Sequence, residues 1–206
     1  MTTALHVALI GASGNVGSRI LAELSRRGHT VTGIARHPNQ IPALPGVIAV
    51  LGDASQPQAL TAILRGHDAV ASAVMFRQTD PQTLINAVRQ SGVKRYMVVG
   101  GAGSLEVAPG KRLIDQPDFP EAYKPEASKG AVFLDALRSV TDLDWTFLSP
   151  SALFIPGERT GQFRLGTDSL LSNEHGSSIS FEDYAIAFVD ELERPAHIRQ
   201  RFTVGY

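Results

Sequence analysis

The chain contains no cysteine, which removes disulfides, thiolate metal sites and cysteine nucleophiles from consideration. It also has almost no charge surplus: 19 Lys and Arg stand against 20 Asp and Glu, a net charge of -1. That balance creates no field to attract nucleic acid or an anionic membrane, and no basic run makes one locally. No apolar window approaches the about 18 uninterrupted residues of a membrane span. The stretch Met1-Thr-Thr-Ala-Leu5 lacks the basic segment and long apolar run of a secretion signal, so the expected location is cytoplasmic. Internal repeats and low-complexity segments are absent as well. What is present is a chain of 206 residues with 43% hydrophobic content, long enough to bury a large core as a single domain over 1–206.

The most informative stretch is Gly11-Ala-Ser-Gly-Asn-Val-Gly17, between the apolar run Leu5–Ile10 and the amphipathic run Val16, Ile20, Leu21, Leu24. This reads as strand, glycine turn and helix. Glycine is needed where the turn is tight, where backbone approaches a phosphate, and where helix packs close to strand. Free N–H groups and the positive end of the helix dipole then form an anion site, with Asn15 or Ser13 expected to cap or donate. The pattern points to a dinucleotide pyrophosphate site.

Strands and helices alternate from there. Strands are expected at Thr30–Ile34, Val47–Leu51, Asp68–Val74, Arg95–Val99 and Asp144–Leu148. Helices are expected from a Ser55 cap to about Arg65, from Asp80-Pro81 to Gly92, and from about Glu126 to Ser139. Such alternation implies right-handed parallel crossovers: an α/β, Rossmann-like, doubly wound parallel sheet covered on both faces. After Pro150 the rhythm breaks into short extended pieces near Phe163–Leu165 and Ser178–Ser180, expected to form a small lid and substrate region over 150–180. A helix over Phe181–Leu192 and a strand over Arg201–Val204 close the chain.

Ligands of open parallel sheets bind beyond the carboxyl ends of the strands. A nucleotide there would meet Gly11, Ser13, Gly14, Asn15, Val16, Gly17, Arg36, Asp53, Ala54, Ala73, Gly101 and Pro150. At the end of the second strand a carboxylate would bind the ribose 2′-hydroxyl and repel a 2′-phosphate, whereas this chain has Ala35-Arg36-His37. Arg36 therefore favours NADP over NAD, through a paired contact with phosphate. Asp53 is placed to accept from the adenine amino group.

Several stretches resemble the atypical short-chain dehydrogenase/reductases: the glycine fingerprint, Gly52-Asp53-Ala54, Gly92-Val-Lys-Arg-Tyr-Met-Val-Val-Gly100-Gly-Ala-Gly-Ser104 and Asp144-Trp-Thr-Phe-Leu-Ser-Pro150. The chain is most similar to the small NAD(P)H-binding group often labelled NADH-flavin reductase-like. That resemblance implies the fold and nucleotide binding. In dehydrogenases of the wider superfamily a Tyr and a Lys four residues later share one helix and move the substrate proton. Here Tyr123 is followed at that spacing by Ala127. Lys129, six residues on, is turned by about 240° net, against about 40° for four residues, and Pro125 places Tyr123 ahead of the helix.

The proton relay for carbonyl reduction is therefore expected to be missing, which favours an acceptor that takes hydride without a protein acid, such as a flavin or another planar conjugated molecule. Ser104 and Tyr123 are the candidate catalytic side chains, and Phe154 and Phe163 are candidates for stacking or for core. No metal is expected, since the six histidines show no ligand spacing. The expected partner is a small acceptor rather than nucleic acid or membrane, with the chain a monomer or homodimer. A non-catalytic NADP(H) redox sensor and an epimerase or dehydratase with a closed redox cycle are the alternatives.

Overall fold

The run His6-Val-Ala-Leu-Ile10 alternates sides as a strand must: Val7 and Leu9 are buried on one face, Ala8 and Ile10 on the other. Both faces of the sheet are therefore covered, which requires helices on each side. The computed structural model describes residues 3–206. Its elements in order are β1 His6–Ile10, α1 Asn15–Arg26, β2 Thr30–Ala35, β3 Val47–Leu51, α2 Pro57–Leu64, β4 Ala69–Ser72, α3 Pro81–Ser91 and β5 Arg95–Val99. Then follow β6 Glu106–Ala108, β7 Lys111–Arg112, α4 Lys124–Arg138, β8 Asp144–Pro150, β9 Leu153–Ile155, β10 Arg164–Gly166, β11 Ser178–Ser180, α5 Phe181–Glu193 and β12 Gln200–Gly205.

The main sheet runs β10-β12-β8-β5-β4-β1-β2-β3. All its pairs are parallel except β10 with β12. α1 and α5 pack together over one face, burying Ile20, Leu21, Leu24, Tyr184 and Phe188. α2, α3 and α4 cover the other, burying Leu60, Leu64, Leu84, Val88, Phe133 and Leu137. This is the expected doubly wound sheet. Strand order reverses between β1 and β4, which opens a crevice at their carboxyl ends.

Local departures have local causes. Ser55 does not cap α2: its N–H and hydroxyl both bond Asp53 Oδ1 (2.8 and 2.9 Å), and the helix starts two residues later at Pro57. β4 is shorter than expected at both ends. Asp68 instead accepts from the His6 N–H (2.7 Å), and Ala73, just beyond the carboxyl end, still donates to the Ile10 carbonyl (2.8 Å). α4 starts at Lys124, before the expected Glu126, because Pro125 fits the first turn, where no N–H is required. The β6–β7 hairpin lies in what read as loop, its strands too short for a period-2 signal.

The region 150–180 divides in two. β10 adds an edge strand to the main sheet through β12, whereas β9 and β11 form a separate parallel pair. Residues 157–161 are strapped to the α1–α5 layer. Arg159 makes a two-pronged contact with Glu23 on α1 (2.9 and 2.9 Å), and Gly157 and Gly161 donate to Glu182 and Asp183 on α5 (2.8 and 2.8 Å).

Candidate functional site

The turn after β1 is built by exclusion. Gly11 has φ +83°, and a Cβ there would lie 2.4 Å from the Ala73 carbonyl oxygen. At Gly17 a Cβ would lie 2.0 Å from the Gly11 carbonyl oxygen, so α1 touches the strand it follows. Gly14 is the N-cap of α1, and no side chain caps the helix. Neither Asn15 nor Ser13 fills the capping role expected of it. The first N–H groups of α1 therefore face outward with the positive end of the dipole, an arrangement that suits an anion.

Around this turn lies a cavity of about 280 Å³, walled by the ends of β1, β2, β3 and β4. Gly11, Ser13, Gly14, Arg36, Asp53, Ala54 and Ala73 all line it, as anticipated for the cleft. Arg36 is exposed and, among the described residues, makes no ion pair or hydrogen bond. Asp53 is held below the usual carboxylate range, first by the Ser55 N–H and hydroxyl and further by the nearby Arg36 charge. It is ionised at neutral pH, with Oδ1 occupied by Ser55.

Other anticipated residues stand elsewhere. Val16 packs into the apolar layer beneath the turn, Asn15 begins α1 outside the cavity, and Gly17 serves helix–strand packing. Gly101 and Pro150 do not line the cavity, and Pro150 is buried in β8 beside Val204. No residue of 150–180 lines it either. Phe154 is core rather than platform, edge-on to Phe181 and tilted on Tyr184, both at 4.7 Å. Phe163 also packs against the core.

Sequence reasoning missed the wall after β4, made by Val74, Met75, Gln78 and Thr79 around a short 3-10 turn, Phe76–Gln78. Glu126 was missed as well. Its carboxylate accepts from the Phe76 N–H at 2.7 Å and the Arg77 N–H at 3.1 Å. A glutamate three residues beyond an N-cap was the available signal, although it normally announces a contact with its own helix.

The proton-relay positions are as the spacing implied. Tyr123 precedes α4 as its N-cap residue and is 67% exposed. Ala127 occupies the fourth position after it, against Gly103, where a Cβ would approach within 2.7 Å. Lys129 is exposed and its charge acts on Asp80. Two buried tyrosines offer no substitute acid. Burial pushes both phenols up, with Tyr96 bonded to Ser72 (3.0 Å) and Tyr184 donating to the Leu148 carbonyl (2.7 Å). Ser104 Oγ accepts from Arg201 Nη1 at 3.3 Å, which leaves its own proton free.

A family model described as NAD(P)H-binding matches residues 11–195, from the first glycine of the turn to beyond α5. The chain belongs to the NAD(P)H-binding family. It is 49% identical to a candidate exported protein from Burkholderia pseudomallei, over 98% of this chain and 100% of that one, with a TM-score of 0.89. It is 42% identical to a candidate epimerase from Bacteroides thetaiotaomicron, covering 99% and 98%, at a TM-score of 0.93. It is 39% identical to a candidate NADH-flavin reductase from Streptococcus pneumoniae, covering 98% and 99%, at a TM-score of 0.85. Among the described residues no helix is long and apolar enough to cross a membrane.

Open donors at α1, a free guanidinium at β2 and a carboxylate after β3 together fit a nicotinamide dinucleotide. Pyrophosphate would lie over Gly11 to Gly14, with the adenosine end toward Arg36 and Asp53.

Proposed function

We propose that the chain is an NADPH-dependent reductase that passes hydride to a flavin or another planar conjugated acceptor. The observation that carries the cofactor choice is Arg36: a guanidinium on the cavity wall with no partner among the described residues, at the strand end where NAD-selective sites hold a carboxylate. A fork of donors left unpaired in this way suits a 2′-phosphate. The first N–H groups of α1 would hold the pyrophosphate, and Asp53 has a second carboxylate oxygen free for the adenine amino group.

Bound there, the nicotinamide supplies a hydride. The chain supplies position and little acid–base chemistry, because Ala127 stands where a lysine would activate Tyr123, and both buried phenols stay protonated. Carbonyl reduction produces an alkoxide that must be protonated at once. A flavin instead spreads the incoming charge over its ring and takes its proton from water, so NADPH is oxidised as the acceptor is reduced. The likeness to a candidate NADH-flavin reductase supports this reading.

The likeness to a candidate epimerase supports a second one, in which an oxidised cofactor takes hydride from the substrate and returns it to the same molecule, so that it is reduced and reoxidised within a single cycle. One assay separates them. Loss of NADPH absorbance is followed with FMN, riboflavin and a quinone as acceptors, and NADH is compared with NADPH. The reductase gives net oxidation with at least one acceptor, whereas an epimerase gives none. Arg36→Ala should raise KM for NADPH by about 10- to 100-fold, the worth of charge-assisted bonds to a phosphate, and leave KM for NADH nearly unchanged. An equal effect on both cofactors would reject the role of Arg36.

A further inference from the structure

Glu126 occupies the third position of α4, where a glutamate ordinarily folds back to bond the start of its own helix. Here it reaches away. Its two oxygens take the main-chain N–H groups of Phe76 and Arg77, fifty and forty-nine residues earlier in the chain, at 2.7 and 3.1 Å. These are the first donors of the 3-10 turn Phe76–Gln78, and among the described residues no other side chain caps that turn. The Arg77 guanidinium lies 3.3 Å from the same carboxylate.

A second contact, one turn further along α4, holds the same residue. The Phe76 ring rests on Gly130, where a Cβ would lie 3.0 Å from the ring, and leans on Phe133 with centroids 5.3 Å apart. Residue 76 is thus gripped by its main chain and by its ring. Met75 on one side of it, and Gln78 and Thr79 on the other, form the wall of the cavity facing Arg36 and Asp53. The turn has two main-chain bonds of its own, from the Gln78 N–H to the Met75 carbonyl (3.1 Å) and from the Thr79 N–H to the Phe76 carbonyl (3.3 Å), but 3-10 bonds are poorly aligned and its first donors are met by Glu126.

We propose that Glu126 is a positioning residue, which sets this wall at the separation a nicotinamide dinucleotide requires and locks it to α4. It touches neither cofactor nor acceptor. Its effect runs through main-chain bonds, so a carboxylate is needed: each oxygen has one N–H to accept. A glutamine keeps one acceptor and turns an N–H₂ donor toward the other N–H, which should leave it between glutamate and alanine. This inference rests on the cofactor reading above and extends it to a residue outside the cavity.

The test compares the intact chain with Glu126→Ala, Glu126→Gln and Asp142→Ala; the last removes a carboxylate–arginine pair with Arg89, remote from the cavity. Two readouts are taken, amide hydrogen exchange over residues 75–79 without nucleotide, and NADPH affinity by fluorescence titration. In Glu126→Ala, exchange at Phe76 and Arg77 should rise at least about tenfold, and Kd for NADPH should rise about tenfold, the worth of one charge-assisted bond. Glu126→Gln should lie between, and Asp142→Ala should match wild type in both readouts. Unchanged exchange in Glu126→Ala would overturn the clamp. Faster exchange with unchanged Kd would overturn its role in cofactor positioning. A wild type that binds no NADPH, while exchange still responds to Glu126, would instead overturn the cofactor reading itself.

Discussion

At the scale of single residues, two glycines with similar backbone angles carry different costs. Gly28 ends α1 at φ +81° with open space for 4 Å around the point a Cβ would occupy, so alanine there meets only the left-handed strain of about 1 to 2 kcal/mol. Gly11 has φ +83° and in addition the Ala73 carbonyl 2.4 Å away, main chain that cannot rotate aside. Gly11→Ala should therefore destabilise by more than Gly28→Ala, by about 3 kcal/mol or more, and abolish nucleotide binding even where the protein still folds. Thermal melts of the two variants beside a nucleotide titration check this, and equal losses would refute it. Both glycines were visible in the sequence as punctuation. What separates them is the approach of β4 to the turn, a contact between segments about sixty positions apart in the chain.

At the scale of elements, the helices whose ends were read correctly carry their stop signals in adjacent residues. Asp80 accepts from the Thr83 N–H at 2.7 Å with Pro81 in the first turn, and Gly92 closes α3 at φ +85°. Loss of this cap in Asp80→Ala should cost about 1 kcal/mol, seen as a lower denaturation midpoint with unchanged nucleotide affinity, since α3 starts outside the cavity. Affinity falling with stability would show that the cap also shapes the wall ending at Thr79. Where a start was misread, a side chain with capping chemistry had found another partner. Ser55 had the right chemistry for a cap, but it turns back to Asp53, two residues before it, and the helix begins only at Pro57, beyond reach of a Ser55 cap. Glu126 had the chemistry of a capping box, but the N–H groups of another segment lay in reach. Local sequence offers the group; the fold selects its partner.

At the scale of the whole molecule, ionisable groups far from the cavity tie the layers together and set how the fold responds to acid. His67 leans on His6, with centroids 4.0 Å apart and the rings tilted by 33°, and bonds Thr32 (2.8 Å). Burial pushes its pKa below the ordinary 6.5, and the His6 charge adds to that. The neutral imidazole is the form the fold prefers, so this stability is complete above pH 6.5 and falls as pH drops below it. Glu23 and Glu182 behave as a second stage. Burial raises both, but Arg159 and Arg27 at Glu23, and the Gly157 N–H and Arg19 at Glu182, lower them further than burial raises them. Their contribution is complete above the ordinary carboxyl value of 4.5 and is lost as pH falls below it through the lowered folded-state values. Denaturation midpoints taken from neutral pH downward should fall in two steps, and His67→Gln should remove the first. A midpoint flat from neutrality to about pH 5 would refute the histidine step.

The sequence alone determined the strand and helix order, the doubly wound sheet, the glycine turn after the first strand and the family. These follow from short-range facts: period-2 and period-3.6 patterning, caps, and glycines spaced between a strand and a helix. The resemblance at spaced motifs carried the same information across the chain. Tertiary structure alone decided which cleft residues share one cavity, that 157–161 is strapped to α1 and α5, and that Glu126 holds the wall after β4. Each of these depends on segments far apart in sequence meeting across the sheet, and no spacing along the chain encodes the distance between two groups that only the packed layers bring together.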